Sequence, residues 1–236
     1  MLCNIGQDSI EDARRMLTLL CFASRPLSVP ELIDGIAVET TESTGLNKDR
    51  RFQDYNDINE ICPGFTSLNV AAANELPTVQ IAHFSVQEYL ESGRIRHEKA
   101  KIFGLTSVIA QEEITQICLI YLLEPNLSSL ELGPNIHKEY PLAQFAAECW
   151  SSHYKSTATP APKSDLLISR LFQHKESFKT WIELHDMDDP RKYHFNRFRT
   201  TSPVYYASLL GLEQTLYELL NTKCQEGILT VSSLGT

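Results

Sequence analysis

Apolar residues recur at three- and four-residue spacing along two long stretches of the chain, and this is the spacing of one face of an α-helix. The clearer stretch runs from residue 141 to 154, and the other from 108 to 123. In the first, one face carries Leu142, Phe145, Ala146, Cys149, Trp150 and His153. We therefore predict a mainly α-helical protein. Its central helix would span 141–154, with Pro141 in the first turn and with Phe145 and Trp150 buried.

The N-terminal part of the chain, residues 1–95, has the element order of a winged helix. Ser28 and Glu31 show the spacing of a capping box, which predicts a helix that starts there. Ser85 and Glu88 repeat this spacing and predict a later helix that runs to about residue 92. The other predicted elements are helices at 10–23 and 54–61 and strands at 65–71 and 78–82. Three small helices followed by a two-stranded ribbon predict a winged-helix-like unit.

The rest of the chain divides into a helical linker domain at 96–200 and a partial ankyrin-like repeat at 201–236. An ankyrin repeat opens with T-P-L-H-x-A and breaks at a glycine before its second helix. Pro203, Ala207 and Gly211 match this pattern, whereas Tyr205 stands where histidine is usual. About three such repeats are needed for a stable stack, so we expect this helix pair to dock on the preceding helices.

Five stretches keep a characteristic order and spacing over nearly the whole chain: 13–27, 81–90, 118–123, 141–150 and 203–207. Together they resemble the region after the NACHT nucleotide-binding domain in fungal NACHT–ankyrin proteins, which are of the NOD-like receptor type. The resemblance implies that the winged helix packs on a nucleotide-binding domain and that ankyrin repeats contact protein partners in intracellular signalling. Some relatives carry a domain label taken from a lipid deacylase, but the chain has no G-x-S-x-G segment.

His83 is the one candidate binding residue. The segment that it begins, residues 83–90, looks like the H-x-S-x-Q-E-F-L segment of animal NOD-like receptors. That resemblance implies that His83 contacts the phosphates of ADP on a NACHT domain, where an imidazole N–H can donate to a phosphate oxygen. The chain itself has no G-x-x-x-x-G-K-[ST] loop. We therefore expect no cofactor for the chain alone, in which His83 would be a structural residue.

A hydrolytic or small-molecule-binding protein is the first alternative. It would use His83 or His153 with a nearby carboxylate, and His83, Ser85 and Glu88 could form a Ser/His/acid set. We favour helix capping as the explanation of Ser85 and Glu88. The sequence therefore predicts no catalytic residue, and we expect a non-catalytic regulatory and protein-interaction fragment.

DNA binding by the winged helix is the second alternative, and the charge of the chain disfavours it. The net charge is −9, and residues 31–60 carry eight acids against three bases. Asp54, Asp57 and Glu60 lie on the predicted third helix, where a DNA reader would have arginine and lysine. Acidic groups there would raise the electrostatic cost of every phosphate contact, so we expect no nucleic-acid partner.

The sequence also indicates the environment of the protein. No apolar run approaches the roughly 18 residues that a membrane helix needs, and no secretory signal is visible. The six cysteines contain no C-x-x-C pair, so reduced thiols are expected and a metal site is not. We expect a cytoplasmic, truncated fragment of a larger protein. A basic cluster within 191–199 is interpreted as a solvated loop.

Overall fold

The computed structural model describes residues 2–41, 45–70, 76–129, 136–157, 161–187 and 202–221. Its helices are α1 (Ile10–Phe22), α2 (Val29–Ala37), α3 (Tyr55–Ile61), α4 (Phe84–Glu91), α5 (Ser107–Leu122), α6 (Pro125–Ser129), α7 (Ile136–Glu139), α8 (Ala143–Lys155), α9 (Pro162–Gln173), α10 (Lys175–Leu184), α11 (Pro203–Leu210) and α12 (213–221). The strands are β1 (Leu27–Ser28), β2 (Val38–Glu39), β3 (Gly45–Leu46), β4 (Thr66–Asn69) and β5 (Thr78–Ile81). The prediction of a mainly helical protein is confirmed. The basic cluster within 191–199 lies outside the described residues.

The N-terminal helices and strands form a winged helix, as predicted. Strands β4 and β5 pair antiparallel, with Leu68 opposite Val79, and β1 adds a third strand on the other side of β5. The first capping box is present, because the backbone N–H of Ser28 donates to Oε2 of Glu31 at 2.7 Å. The carboxylate of Asp54 caps α3 by accepting from the backbone N–H of residue 56 at 2.7 Å. These caps fix where α2 and α3 begin.

The second predicted capping box is wrong. Helix α4 begins one residue before Ser85, its N-cap is His83, and that N-cap makes no side-chain capping bond. Ser85 is therefore already inside the first turn, two positions after the N-cap. The first turn of α4 is closed by a backbone hydrogen bond from the N–H of Val86 to the carbonyl of His83, at 2.9 Å.

Helix α5 lies at the centre of the protein, against α1 of the winged helix and against α8 and α9. Helix α8 is the predicted central helix, and both Phe145 and Trp150 are fully buried in it. Its start differs from the prediction, since Pro141 precedes the helix in a turn closed by Ala143 N–H on the carbonyl of Tyr140. Pro141 is the second residue of that turn and so does not occupy the first turn of the helix.

An aromatic cluster joins the later helices. The ring of Trp181 in α10 lies 5.3 Å from Trp150, 5.5 Å from Phe172 and 5.9 Å from Tyr206, measured between ring centroids. The indole N–H of Trp181 donates to the carbonyl of Ala147 at 3.1 Å, so this buried polar group is satisfied. Helix α11 is thereby held against α10.

Helices α11 and α12 form a pair at the predicted place. Gly211 ends α11 with a left-handed backbone, at φ +69°, which glycine adopts without steric cost. The pair docks on the preceding helices through Tyr206 and through a hydrogen bond from the Ser169 hydroxyl to Glu218. Its assignment as an ankyrin repeat stays a prediction, and so do the bounds of the three domains.

Candidate functional site

His83 and Phe84 stand at an exposed corner of the winged helix, between the end of β5 and the start of α4. The backbone of this corner is held on both sides. On one side, the N–H of Ala82 donates to the carbonyl of Phe65 at 2.8 Å. On the other side, helix α4 begins at Phe84. The Phe84 side chain is nonetheless 70% exposed, and the His83 side chain is exposed as well. A large apolar ring and an imidazole are thus presented to solvent from a fixed backbone.

Further apolar side chains are exposed on the wing. Leu68 and Val70, at the end of β4, and Leu76, just before β5, are all accessible to solvent. Single exposed apolar residues are common on monomers, whereas a contiguous apolar patch marks a contact surface. The winged helix therefore has apolar groups available for a partner at the wing and at the start of α4.

The Ser/His/acid arrangement weighed from the sequence does not form a hydrogen-bonded set among the described residues. His83, Ser85 and Glu88 all lie at the surface near the start of α4. A catalytic histidine needs a hydrogen bond to its nucleophile and another to the group that orients it. The described part of the chain gives His83 neither of these bonds.

His153 lies in a different environment. It is buried in α8, and its Nδ1 contacts the side-chain oxygen of Gln111 in α5. Its Nε2 is buried without a hydrogen-bond partner among the described residues. Burial lowers the pKa of His153 to about 4, because the charged ring loses its hydration. A neutral, enclosed imidazole beside an amide packs between two helices and is not accessible to a substrate.

Part of the acidic stretch at 31–60 is neutralised inside the protein. The carboxylate of Asp34 is buried, lies 2.7 Å from Nε of Arg51 and accepts a hydrogen bond from the Tyr121 hydroxyl. Burial raises the pKa of Asp34, although both partners oppose this shift. By contrast, Asp54 and Glu60, at the two ends of α3, are exposed. The exposed side of α3 is therefore acidic, as the sequence indicated.

A buried charge cluster that the sequence did not predict lies between α1 and α5. Nε of Arg15 lies 3.5 Å from Oε1 of Glu113, and a guanidinium nitrogen of Arg14 lies 2.9 Å from the same oxygen. Arg15 also donates to the carbonyl of Ile36 at 3.0 Å. The one available signal was that Arg15 shares the helical stretch with Met16 and Leu17, but its partners come from distant parts of the sequence.

Two general features of the described residues bear on function. No group of three histidine, cysteine, aspartate or glutamate side chains converges as a metal site in this part of the chain. In the same residues, none of the helices has both the length and the apolar character required to cross a bilayer. The five described cysteines, Cys3, Cys21, Cys62, Cys118 and Cys149, are free thiols, as expected.

The comparisons with known proteins agree with the fold of the N-terminal part. Residues 1–102 match the family described as GPI inositol-deacylase, winged helix domain. The chain is 44% identical over 229 residues to the Azaphilone pigments biosynthesis cluster protein L of Monascus ruber, and the match covers 93% of this chain and 48% of that protein. The chain thus spans about half the length of this curated relative.

No solved structure matches the chain. The two matches name neither a NACHT domain nor an ankyrin repeat, so those parts of the resemblance stay predictions. The matched family takes its name from a lipid deacylase, yet what matches is its winged helix domain, and the chain has no G-x-S-x-G segment. The sequence match and the β1-β5-β4 sheet agree that the N-terminal part of this chain is a winged helix.

Proposed function

We propose that this chain is a non-catalytic interaction module whose winged helix docks on a nucleotide-binding domain of the NACHT type. The observation that carries the proposal is the fixed corner at which Phe84 is 70% exposed beside an exposed His83. Aromatic residues that protrude from a rigid surface are frequent anchors of protein interfaces. Helix α1 packs against α5 of the helical body, so the wing and the start of α4 are left for a partner.

The chemistry of the corner suits such a contact. Phe84 would fill an apolar pocket of the partner domain, and the exposed wing residues would extend the apolar contact. His83 would donate an N–H to a phosphate oxygen of ADP bound at the domain surface. Because one residue contacts nucleotide and its neighbour contacts protein, docking would depend on which nucleotide is bound. The contact would therefore hold the two domains together in one nucleotide state and release them in another.

The relative from Monascus ruber supports a biosynthetic setting for the module. That protein is named as a member of an azaphilone pigment biosynthesis cluster and is about twice as long as the aligned region. We infer that the present chain serves a similar setting, in which a non-catalytic protein controls or assembles the proteins of a biosynthetic pathway. Signalling through ankyrin-type helices would be one form of this role.

The two alternatives have less support. Hydrolysis would need an accessible histidine paired with a carboxylate, whereas His153 is enclosed beside Gln111. DNA binding would need a basic third helix, whereas the exposed side chains at the two ends of α3 include Asp54 and Glu60. We therefore do not propose an enzyme or a DNA reader.

The proposal is tested by binding in trans. The chain is titrated against an ADP-loaded NACHT-type domain of a fungal NACHT–ankyrin protein, and the dissociation constant is measured for wild type and for Phe84→Ser. We expect Phe84→Ser to weaken binding at least about tenfold, as for an interface anchor. The control is Tyr217→Ser, because Tyr217 is 66% exposed on α12, outside the winged helix, and should leave the constant unchanged. Absence of wild-type binding, or equal binding by Phe84→Ser, would refute the docking face.

A further inference from the structure

A basic segment, residues 94–109, lies on the surface of the protein directly after α4. It contains four lysines and arginines against one glutamate and so carries a formal charge of +3, whereas the whole chain carries −9. All four basic side chains are exposed, namely those of Arg94, Arg96, Lys99 and Lys101. The charge of this segment is opposite in sign to that of the chain, so anionic groups are attracted to it.

The basic segment also exposes three aliphatic side chains. Ile102 is 52% exposed, and Val108 and Ile109, in the first turn of α5, are 55% and 61% exposed. Other residues of the segment are buried and anchor it to the core, namely Ile95, Ala100, Phe103 and Leu105. Because these four side chains point inward, the bases and the three aliphatic side chains are presented on the outer side of one anchored segment.

The backbone of the basic segment is held in place. The N–H of His97 closes a tight turn on the carbonyl of Arg94 at 3.0 Å. Further along, the N–H of Leu105 donates to the carbonyl of Leu90, at the end of α4, at 2.8 Å. Ordering of loops on binding costs free energy, and a segment that is already ordered avoids this cost.

The four bases are available to an anionic partner. Among the described residues, none of them forms an ion pair with a carboxylate. The two exposed glutamates that are close in sequence are each bonded to a side chain of α4 instead. Glu98 accepts a hydrogen bond from the Tyr89 hydroxyl at 2.6 Å, and Glu91 accepts one from the Gln87 amide at 2.9 Å.

We propose that the basic segment binds the surface of an anionic lipid bilayer. The bases lie at the lipid phosphates, and the three aliphatic side chains insert between the headgroups towards the hydrocarbon. Each base near an anionic membrane surface strengthens binding by roughly fivefold, so the contact is reversible and depends on salt. The segment follows the end of α4, whereas the docking corner lies at its start, and the inference does not depend on docking of a nucleotide-binding domain.

The apolar part of this surface favours a bilayer over an acidic protein or a nucleic acid. Protein interfaces are anchored by side chains that fill pockets. A cavity of about 750 Å³ beside α4 and another of about 300 Å³ beside Phe65 are both lined without Ile102, Val108 or Ile109. Single-stranded nucleic acids stack on aromatic rings, whereas these three side chains are aliphatic. Aliphatic groups beside bases suit the boundary between lipid headgroups and hydrocarbon.

The test uses the whole chain and large unilamellar vesicles of phosphatidylcholine that contain about one third phosphatidylserine. Co-sedimentation measures the bound fraction against lipid concentration at low salt. We expect half-saturation at submillimolar lipid, and at least tenfold weaker binding to vesicles of phosphatidylcholine alone. Sodium chloride at about 0.5 M should weaken binding to the anionic vesicles by a similar factor.

One double variant tests the bases. Lys99→Glu, Lys101→Glu should weaken binding to the anionic vesicles by at least about tenfold. Lys138→Glu, Lys175→Glu is the matched control, because both lysines are exposed on other helices and the change in net charge is the same. The control should stay within twofold of wild type.

A second double variant tests the aliphatic side chains. Val108→Ser, Ile109→Ser should weaken binding by about fivefold or more, because apolar surface that enters the bilayer is lost. Leu166→Ser, Leu209→Ser is its control, since these leucines are 51% and 47% exposed on α9 and α11. It should bind as wild type does.

Insertion has a spectroscopic signature of its own. Ile109→Trp places an indole on the basic segment, whereas Trp150 and Trp181 are fully buried. Its emission should shift to shorter wavelength when anionic vesicles are added and should not shift with phosphatidylcholine alone. The proposal is overturned if wild type does not bind anionic vesicles at millimolar lipid, if either double variant loses no more than its control, or if the emission is unchanged. Tighter binding to single-stranded RNA or to polyglutamate than to anionic vesicles would also overturn it.

Discussion

Arg15 of α1 and Glu113 of α5 form an ion pair in the interior, where their side chains are 1% and 8% exposed. The pair joins the winged helix to the helical body, since α1 belongs to the first and α5 to the second. Buried charges are tolerated only when they are paired or hydrogen-bonded. Besides its ion pair with Glu113, Arg15 donates hydrogen bonds to two backbone carbonyls and to Glu11. The two parts of the protein are thus held in one arrangement by a polar contact within the apolar core.

Replacing Glu113 by alanine should destabilise the protein by about 3 kcal/mol, because the buried guanidinium of Arg15 loses the one of its two carboxylate partners that is itself buried. The measurement is urea unfolding followed by tryptophan fluorescence. Glu11→Ala is the control. Glu11 accepts from the same Arg15 at 2.9 Å but is exposed, so its loss should cost less than about 1 kcal/mol. Equal losses of stability in the two variants would show that the buried pair stabilises the protein no more than the exposed pair does.

Trp150→Ala should cost about 3–5 kcal/mol, because a fully buried indole in contact with Trp181 is lost from the core. Thermal and urea unfolding followed by circular dichroism measure the effect without relying on the removed fluorophore. Tyr217→Ala removes an aromatic ring that is largely exposed and should change stability by less than about 0.5 kcal/mol. A Trp150 variant that melts within a degree or two of wild type would contradict the placement of this side chain.

The stability of the protein should fall on mild acidification because of His153. Its pKa is lowered from 6.5 to about 4 in the folded protein, so the unfolded chain binds more protons between these values. Stability is unaffected by this group above about pH 6.5, decreases as the pH falls, and has lost up to about 3 kcal/mol below pH 4. Urea titrations from pH 7 to pH 4 measure the slope.

His153→Gln should reduce that slope, because the replacement does not titrate. His137→Gln is the control, since His137 is exposed on α7. An unchanged slope in His153→Gln, or an equal reduction in the control, would show that another group causes the acid sensitivity.

Local patterns in the sequence determined much of the fold. Helical spacing predicted α1, α5 and α8, and the Ser28–Glu31 cap predicted the start of α2, because these signals lie within a few residues of one another. The second capping box and the position of Pro141 were wrong for the opposite reason. Which of several adjacent residues begins a helix depends on the turn that precedes it.

The candidate site was less predictable. The sequence singled out His83, but nothing local indicated that Phe84 beside it would be exposed, because exposure depends on which helices cover the winged helix. The buried pairs of Arg15 with Glu113 and of Asp34 with Arg51 join residues that are far apart in the chain or lie on different elements. A count of charges along 31–60 could not show that one of the acids, Asp34, lies inside the protein.

His83 should affect nucleotide retention when a NACHT-type domain is fused in front of the chain. The fusion with wild-type His83 should release ADP more slowly than the fusion with His83→Ala, because a phosphate oxygen loses its imidazole donor. Release of a fluorescent ADP analogue measures the rate. His97→Ala, at another exposed histidine, should leave the rate unchanged. Equal release by the wild-type and His83→Ala fusions would leave His83 as a structural residue.

Amide hydrogen exchange locates the docking face of the winged helix without any substitution. Exchange is measured for the chain alone and with a saturating concentration of the ADP-loaded NACHT-type domain. We expect slower exchange at residues 81–88, which contain His83 and Phe84, and unchanged exchange in α12. Unchanged exchange at 81–88, or protection confined to α12, would refute docking through this corner.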